Sequence, residues 1–125
     1  MNKEAKKLIN NPFLNWLAVI AFATIIFAFS SMTPARLEKE APSLVILIPD
    51  WGAHFLEYFI FALLIYRALF VSGYKSKAVY LAVLIAFLYG ITDEVHQLFV
   101  PGRVFDLKDT IVNFIGAAAA QTIKY

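Results

Sequence analysis

Apolar residues along this chain gather into long runs, which polar, proline and glycine residues separate. The runs predict helices over residues 13–31, 51–71, 78–99 and 106–123. A helix needs about 20 apolar residues to cross a bilayer, which the first three runs supply and the fourth barely reaches. The fourth run has a centre of small residues, Gly116 to Ala120, which let membrane helices approach closely. The pattern therefore predicts an all-α integral membrane bundle of four transmembrane helices, with the fourth packed inside.

Residues that cap or break helices mark the limits of these predicted elements. Pro49 and Asp50 stand before the second helix, where the aspartate can cap the first turn, and Gly73 follows its end. The first run resembles a signal peptide core, but no convincing Ala-x-Ala cleavage site follows it and its length suits a full span. We predict a loop over 36–49. Its apolar stretch 43–48 is too short to span and is expected to be re-entrant or interfacial.

Composition points to the same class of protein. The chain has 125 residues, of which 61% are apolar and 16% charged, and its mean hydropathy is +0.70. Soluble domains are about half apolar, and a soluble core of this size could not hide the excess. We therefore predict one membrane domain over residues 1–125. The absence of cysteine excludes disulfides and thiolate metal sites, and a net charge of +2 does not indicate nucleic-acid binding.

Lysine and arginine residues are unevenly divided between the two predicted sides of the membrane. One side holds Lys3, Lys6, Lys7, Arg67, Lys75, Lys77 and Lys124, and the other holds Arg36, Lys39, Arg103 and Lys108. Because cytoplasmic loops carry the excess, the pattern predicts a multi-pass protein of the cell membrane with both termini cytoplasmic. Aromatic residues near the predicted helix ends are expected to anchor the bundle at the interfaces, namely Trp16, Trp51, Tyr74, Tyr80 and Tyr125.

Polar residues recur at helical spacing near one end of three predicted helices. Residues three or four positions apart share a helix face, and charges beside hydrocarbon are costly unless they pair or line a wet cavity. These faces must therefore turn inward, which predicts a polar pocket at the extracytoplasmic side. The predicted pocket residues are His54, Glu57, Tyr58, Asp93, Glu94, His96, Gln97, Arg103, Asp106, Asp109 and Asn113.

Three kinds of chemistry fit this pocket. His54 and Glu57, facing Asp93 and His96 on the next helix, have the spacing that can bind a divalent metal through two imidazoles and two carboxylates. The same side chains can form a hydrogen-bonded network that locks the helices together, or act as general acids and bases. We favour the network and predict no metal and no cofactor. A nucleophile elbow and a phosphate-binding loop are both absent, which weakens the case for an enzyme, and the catalytic residues are left open.

Charged residues in and after the loop that follows the third predicted helix can form ion pairs or cap the fourth helix. Arg103 can pair internally with one of three carboxylates, or clamp a phosphate or carboxylate of a ligand, and we favour the internal pair. The three candidate partners are Glu94, Asp106 and Asp109. Asp106 is predicted to cap the fourth helix, with Asp109 in its first turn near the positive end of the dipole. Asn113, deeper and uncharged, is predicted to hydrogen-bond between helices.

These residues resemble a known signature. The stretch Asp93 to Arg103, DEVHQLFVPGR, followed by Asp106, Asp109, Asn113 and Gly116, resembles the central motif of the VanZ-like membrane proteins. Phe29-Ser30-Ser31, and Asp50 with His54, Glu57 and Tyr58, resemble the family's other recurring positions. Two positions depart from the pattern: Trp51 stands where many relatives carry lysine, and Ala120 where a second glycine is common.

The resemblance implies a role at the cell envelope, since the founding member of the VanZ-like family is associated with resistance to the glycopeptide teicoplanin. We expect the outward pocket to bind an envelope component, such as an anionic lipid or a cell-wall precursor, or to alter how the surface is presented to glycopeptides. The alternative is a membrane enzyme that acts on a lipid-linked envelope precursor through histidine and acid catalysis. The resemblance implies no settled chemical reaction, and the oligomeric state is left open.

Overall fold

The computed structural model describes residues 2–123, apart from the side chain of Leu44. Over this part of the chain the fold is all-helical, without strands. Its helices are α1 (Lys3–Ile9), α2 (Pro12–Ser30), α3 (Pro34–Glu40), α4 (Pro42–Leu47), α5 (Asp50–Val71), α6 (Ala78–Gln97) and α7 (Leu107–Ala120). Two residues used in the sequence-based expectations, Lys124 for orientation and Tyr125 as an anchor, lie outside the described residues.

Three of the helices are long and apolar enough to cross a membrane. These candidate spans are α2, α5 and α6, with 19, 22 and 20 residues. At a rise of about 1.5 Å per residue they measure roughly 30 Å, the thickness of the hydrocarbon core. The described residues thus hold three candidate spans, not the four predicted. The difference lies in α7, which has 14 residues because the chain does not become helical until Leu107 and leaves the helix after Ala120.

Helix α7 packs against the bundle through the face that carries its small residues, whereas Ile111, Phe114 and Ile115 on its other face are exposed. It lies against α5 and α6, and its buried residues include Asn113, Gly116 and Ala120. At Gly116 the two backbones nearly touch, since a Cβ added there would stand 2.5 Å from the carbonyl oxygen of Phe55. No side chain larger than a hydrogen fits such an approach. The position of this short helix is therefore fixed by its close packing against α5.

Helix α2 lies at the edge of the bundle. Of its 19 residues only Val19, Ile26 and Ser30 are buried. Hydrogen bonds attach it at separate depths: the Trp16 indole N–H donates to Ser72 Oγ at 3.1 Å, and the Tyr89 hydroxyl donates to the carbonyl of Ala23 at 2.6 Å. The outer faces of α2 are apolar and exposed, as a surface in contact with lipid requires.

Three short helices were not predicted. Helix α1 begins after Asn2, whose side chain accepts the Ala5 N–H, in the polar segment before the first apolar run. Helices α3 and α4 occupy most of the segment predicted as a loop over 36–49. The sequence held the signal for α3, because Thr33 caps its N-terminus and Pro34 stands in its first turn. These helices place Leu37 and Ile48 beside the start of α5, where the candidate site lies.

Candidate functional site

A polar cavity lies where the end of α2, the start of α5 and the end of α6 meet. Its volume is about 70 Å³, which is enough for a few water molecules. The residues that line it are Phe29, Ser30, Leu37, Asp50, Ala53, His54, Glu57, Asp93, Gln97 and Arg103. Five of the predicted pocket residues therefore come together here: His54, Glu57, Asp93, Gln97 and Arg103.

The sequence analysis did not include Ser30 and Asp50 among the pocket residues, although both line this cavity. A signal for each was present. Asp50 stands four residues before His54 and seven before Glu57, so it continues the same face of α5. Ser30 ends α2, directly before the Ser31–Met32 turn, and is buried despite its hydroxyl group. A buried hydroxyl at a helix end indicates polar neighbours.

A second group of polar residues lies between α5, α6 and α7. Nδ1 of His54 is 3.1 Å from Oδ1 of Asn113, and Nε2 of the same ring is 3.4 Å from Oδ2 of Asp109. A carboxylate oxygen of Glu94 lies within 4.8 Å of the His54 and Asp109 ligand atoms. We call these four residues the His54 cluster. The prediction that Asn113 hydrogen-bonds between helices is confirmed, and its partner is on α5.

Glu94 joins the His54 cluster to the loop that precedes α7. Its side chain is fully buried, and Oε2 accepts the backbone N–H of Asp106 at 3.2 Å. Asp106 in turn caps α7, accepting the Lys108 N–H at 2.8 Å, and Asp109 lies in the first turn of the helix, as predicted. Oε1 of Glu94 has no hydrogen-bond partner among the described residues. The start of α7 is thus fixed against α6 by a buried carboxylate.

His96 lies apart from both groups. Its ring stacks on Phe27 with 4.5 Å between centroids, and its Nε2 is 3.0 Å from Oγ of Ser31. The metal arrangement considered from the sequence, in which His54 and Glu57 face Asp93 and His96, is therefore not assembled. Residues three apart point about 60° away from each other around a helix. That angle leaves Asp93 in the cavity while His96 contacts α2.

Arg103 does not form the predicted internal pair with a carboxylate. Its Nε donates to the carbonyl of Met32 at 2.8 Å and its Nη2 to the carbonyl of Phe29 at 3.3 Å. The last carbonyls of a helix lack partners within the helix and carry the negative end of its dipole. Arg103 donates hydrogen bonds to carbonyl groups at the end of α2 and places its positive charge near the negative end of the helix dipole. The guanidinium still borders the cavity, so it remains within reach of a bound ligand.

Tyr58 lies between α5 and α6 and does not line the cavity. It is fully buried, and its hydroxyl has no hydrogen-bond partner within residues 2–123. Its ring lies over Gly90 of α6, where an added Cβ would stand 3.1 Å from Cε1 of the tyrosine. The same Cβ would stand 3.4 Å from Nδ2 of Asn113. Tyr58 belongs to the apolar core with Phe61 and Ile65, and it lies beside Asn113 of the His54 cluster at Gly90.

A larger apolar groove adjoins the polar cavity. It has a volume of about 510 Å³ and lies between α3, α4 and the first half of α5. Its lining includes Pro34, Leu37, Glu38, Val45, Ile48, Leu56 and Ile60. Five residues line both the groove and the cavity, namely Phe29, Leu37, Asp50, Ala53 and Glu57. A ligand with one apolar and one polar part can therefore occupy both without a break.

Comparison with known families decides what kind of protein carries this site. A family model described as VanZ/LLP1 matches residues 13–124, from the start of α2 to beyond α7. The chain belongs to the VanZ/LLP1 family. No curated protein and no solved structure matches it. The resemblance inferred from DEVHQLFVPGR and the following acids is thus confirmed, and family membership together with three apolar helices identifies a VanZ-like membrane protein.

Proposed function

We propose that this VanZ/LLP1 protein binds a lipid-linked component of the cell envelope and thereby lowers sensitivity to a glycopeptide such as teicoplanin. One observation carries the proposal: the polar cavity and the apolar groove share lining residues, among them Ala53 and Glu57. An apolar tail would lie in the groove between α3, α4 and α5. Its polar head would enter the cavity, which we propose opens to the extracytoplasmic side while both termini lie in the cytoplasm.

The charges around the cavity favour a cell-wall precursor over a simple anionic lipid. The cavity is lined by carboxyl groups of Asp50, Glu57 and Asp93 and by the guanidinium of Arg103. Arg103 offers a cation to a phosphate, while the carboxyl groups accept hydrogen bonds from hydroxyl, amide or amine groups. A lipid-linked sugar or peptide precursor carries both kinds of group. A headgroup that carries only negative charge would be repelled by these three carboxyl groups.

A membrane enzyme that acts on such a precursor is the second candidate function. The observation that favours it is the position of His54, which lines the cavity while its Nδ1 is held by Asn113 at 3.1 Å. With Nδ1 held by Asn113, Nε2 is the nitrogen that would exchange a proton in general acid and base catalysis, and it lies 3.4 Å from Oδ2 of Asp109. Glu57 and Asp93 line the same cavity and are the acids that would act beside it.

Filling the site should test the proposed binding. Ala53 lines both the groove and the cavity, so Ala53→Leu should block them and abolish the rise in teicoplanin resistance that the wild-type chain gives a susceptible bacterium. Ala18→Leu is the matched control, since Ala18 is exposed on α2 away from the site. Native mass spectrometry with a lipid-linked cell-wall precursor should show the same loss of binding for Ala53→Leu only. Unchanged binding and resistance in Ala53→Leu would contradict the proposal.

The Asp93→Asn variant distinguishes binding from catalysis. The amide keeps the shape of the carboxyl group but cannot exchange a proton, so a binding protein should retain part of its resistance activity. An Asp93→Asn protein that binds the precursor as the wild type does, yet confers no resistance, would assign the chain to the enzyme class.

A further inference from the structure

We propose that His54, Glu94 and Asp109 form a binding site for one divalent metal ion of the zinc and manganese class. This inference does not rest on the proposed function, because it concerns the His54 cluster between α5, α6 and α7 and not the groove. It also differs from the arrangement considered from the sequence, with which it shares only His54. Three features of the cluster support a metal ion: the spacing of the ligand atoms, the orientation of the imidazole, and an unpaired buried oxygen.

The spacing of the ligand atoms suits a metal ion. Each of the three residues comes from a different helix and offers one ligand atom, and these atoms lie within 4.8 Å of one another. Nε2 of His54 and Oδ2 of Asp109 are 3.4 Å apart. Two ligands each about 2.0–2.1 Å from a tetrahedral zinc ion lie about 3.3 Å apart. The histidine and the aspartate thus already stand at the separation that a shared ion requires.

The orientation of the His54 ring leaves the correct nitrogen free. Oδ1 of Asn113 can only accept a hydrogen bond, so the 3.1 Å contact places the hydrogen on Nδ1. In the neutral ring the lone pair is then on Nε2, which faces the carboxylate of Asp109. Two acceptors that face each other repel unless a proton or a metal ion lies between them. Metal-binding histidines are held in this way, through a hydrogen bond from the nitrogen that does not bind the metal.

Glu94 supplies an independent observation in favour of a bound cation. Its side chain is fully buried, and Oε1 has no hydrogen-bond partner within the described part of the chain. The other oxygen is held by the backbone N–H of Asp106, which fixes the carboxylate. A buried carboxylate oxygen without a partner is unfavourable, and a bound cation relieves it.

The donor set indicates the class of the ion and its free position. One imidazole and two carboxylates suit zinc, manganese or iron in the divalent state better than calcium or magnesium, which prefer oxygen alone. Three protein ligands leave at least one coordination position for water or another molecule. Since His54 also lines the polar cavity, the ion would stand at the wall of that cavity.

Direct metal binding tests the inference. The full chain in lipid nanodiscs, first stripped with a chelator, should bind one Zn²⁺ or one Mn²⁺ per chain by calorimetry and by elemental analysis. Glu94→Gln and Asp109→Asn each remove a direct ligand, so both should weaken binding more than the about 10- to 100-fold typical of an outer-shell change. His96→Gln is the matched control and should bind as the wild type does, because His96 contacts Phe27 and Ser31.

X-ray absorption on the zinc-loaded wild type decides the case even if a variant fails to fold. One imidazole nitrogen together with oxygen ligands at about 2.0–2.2 Å is the expected coordination. Three results would each overturn the proposal: a wild type that binds no ion, Glu94→Gln and Asp109→Asn proteins that bind as tightly as the wild type, and a bound ion with no imidazole or with two. In those cases His54 and Asp109 form an ion pair only.

Discussion

The two histidines of this chain occupy different surroundings although their local sequences look alike. Each stands three residues from an acid on an apolar helix, His54 before Glu57 and His96 after Asp93. His54 is buried among polar groups of α6 and α7, whereas His96 stacks on an aromatic ring of α2. The spacing predicts that each pair shares a broad helix face. Which neighbour a side chain on that face meets depends on how the helices are rotated, and a single sequence does not encode that directly.

Double-mutant cycles should separate these surroundings. His54→Ala and Asn113→Ala remove the two partners of one buried hydrogen bond, so their losses of unfolding free energy should be non-additive by about 0.5–3 kcal/mol. Glu57→Ala and His96→Ala, which the sequence placed in one network, should be additive within about 0.5 kcal/mol because no contact joins them among the described residues. Unfolding in mixed detergent and dodecyl sulfate measures both cycles.

The opposite pattern would contradict the geometry of the site. Coupling between positions 57 and 96 together with additivity between positions 54 and 113 would mean that α6 is rotated relative to α5. It would also remove the orientation of the His54 ring on which the metal proposal depends.

Residues with local partners were predictable, and those with distant partners were not. Asp106 caps α7 through the N–H of Lys108, two residues further on, so the sequence holds the whole interaction. Arg103 bonds to the carbonyl of Met32, which lies 71 residues earlier. Nothing near Arg103 indicates that carbonyl, whereas three acids stand close to it in the sequence. The predicted pair between Arg103 and a carboxylate was wrong because it was based on residues close in sequence. The carbonyl groups that Arg103 contacts, at the end of α2, are distant in sequence.

Helices α5 and α7 illustrate how a short element is held by close backbone approach. The contact centres on Gly116 and the carbonyl of Phe55. In a membrane, where lipid and side chains are equally apolar, such close packing supplies much of the attraction between helices. Glycine is needed here for its lack of volume and not for its backbone freedom, since the residue lies within a regular helix.

Two glycine-to-alanine changes should have opposite effects. Gly116→Ala places a Cβ 2.5 Å from the Phe55 oxygen, so we expect a loss of about 1–3 kcal/mol of stability from overpacking. Gly52→Ala, also within a helix, meets its nearest atoms at 3.4 Å and should be neutral or stabilising by up to about 1 kcal/mol. Thermal unfolding of the purified chain in detergent compares them. A Gly116→Ala protein as stable as Gly52→Ala would show that α7 and α5 do not meet as described.

Long helices could be predicted because their length and composition leave little choice. Runs such as Pro12–Ser30 and Ala78–Gln97 are apolar over the thickness of a bilayer. Backbone N–H and C=O groups without hydrogen bonds are costly in hydrocarbon, and a helix satisfies these groups within the segment itself. Helices α3 and α4 have seven and six residues and no such constraint. Thr33 and Pro34 mark the start of α3, and α3 and α4 pack against each other. Short interfacial helices of this kind are therefore hard to distinguish from loops.

At the scale of the whole molecule, the orientation of the bundle decides what the cavity can bind. Because the chain has no cysteine, single cysteines can report which side each loop faces. Three exposed positions suit the test: Val104 before α7, Ser76 between α5 and α6, and Thr122 after α7. We expect an impermeant thiol reagent to label Val104→Cys in intact cells, and to label Ser76→Cys and Thr122→Cys only after permeabilisation.

Other labelling patterns have distinct meanings. Labelling of Ser76→Cys and Thr122→Cys but not of Val104→Cys in intact cells would reverse the orientation and place the cavity on the cytoplasmic side. Labelling of both Val104→Cys and Thr122→Cys would mean that α7, at roughly 21 Å for 14 residues, enters the membrane and returns without crossing it. That result would leave the helix packing intact while changing the topology.

The helices differ in charge and length, and this difference affects how they enter the membrane during synthesis. Helix α2 has no charged residue from Pro12 to Ser30, so it can leave the translocon and stay in lipid without a partner. Helix α7 carries Asp109 and Asn113 over 14 residues and would gain little by entering lipid alone. It leaves the ribosome after α5 and α6, which have then already been made and can receive it. A chain interrupted before residue 107 would therefore hold its spans in the membrane with the acids of α6 uncovered, and such a fragment is a natural target for quality-control proteases.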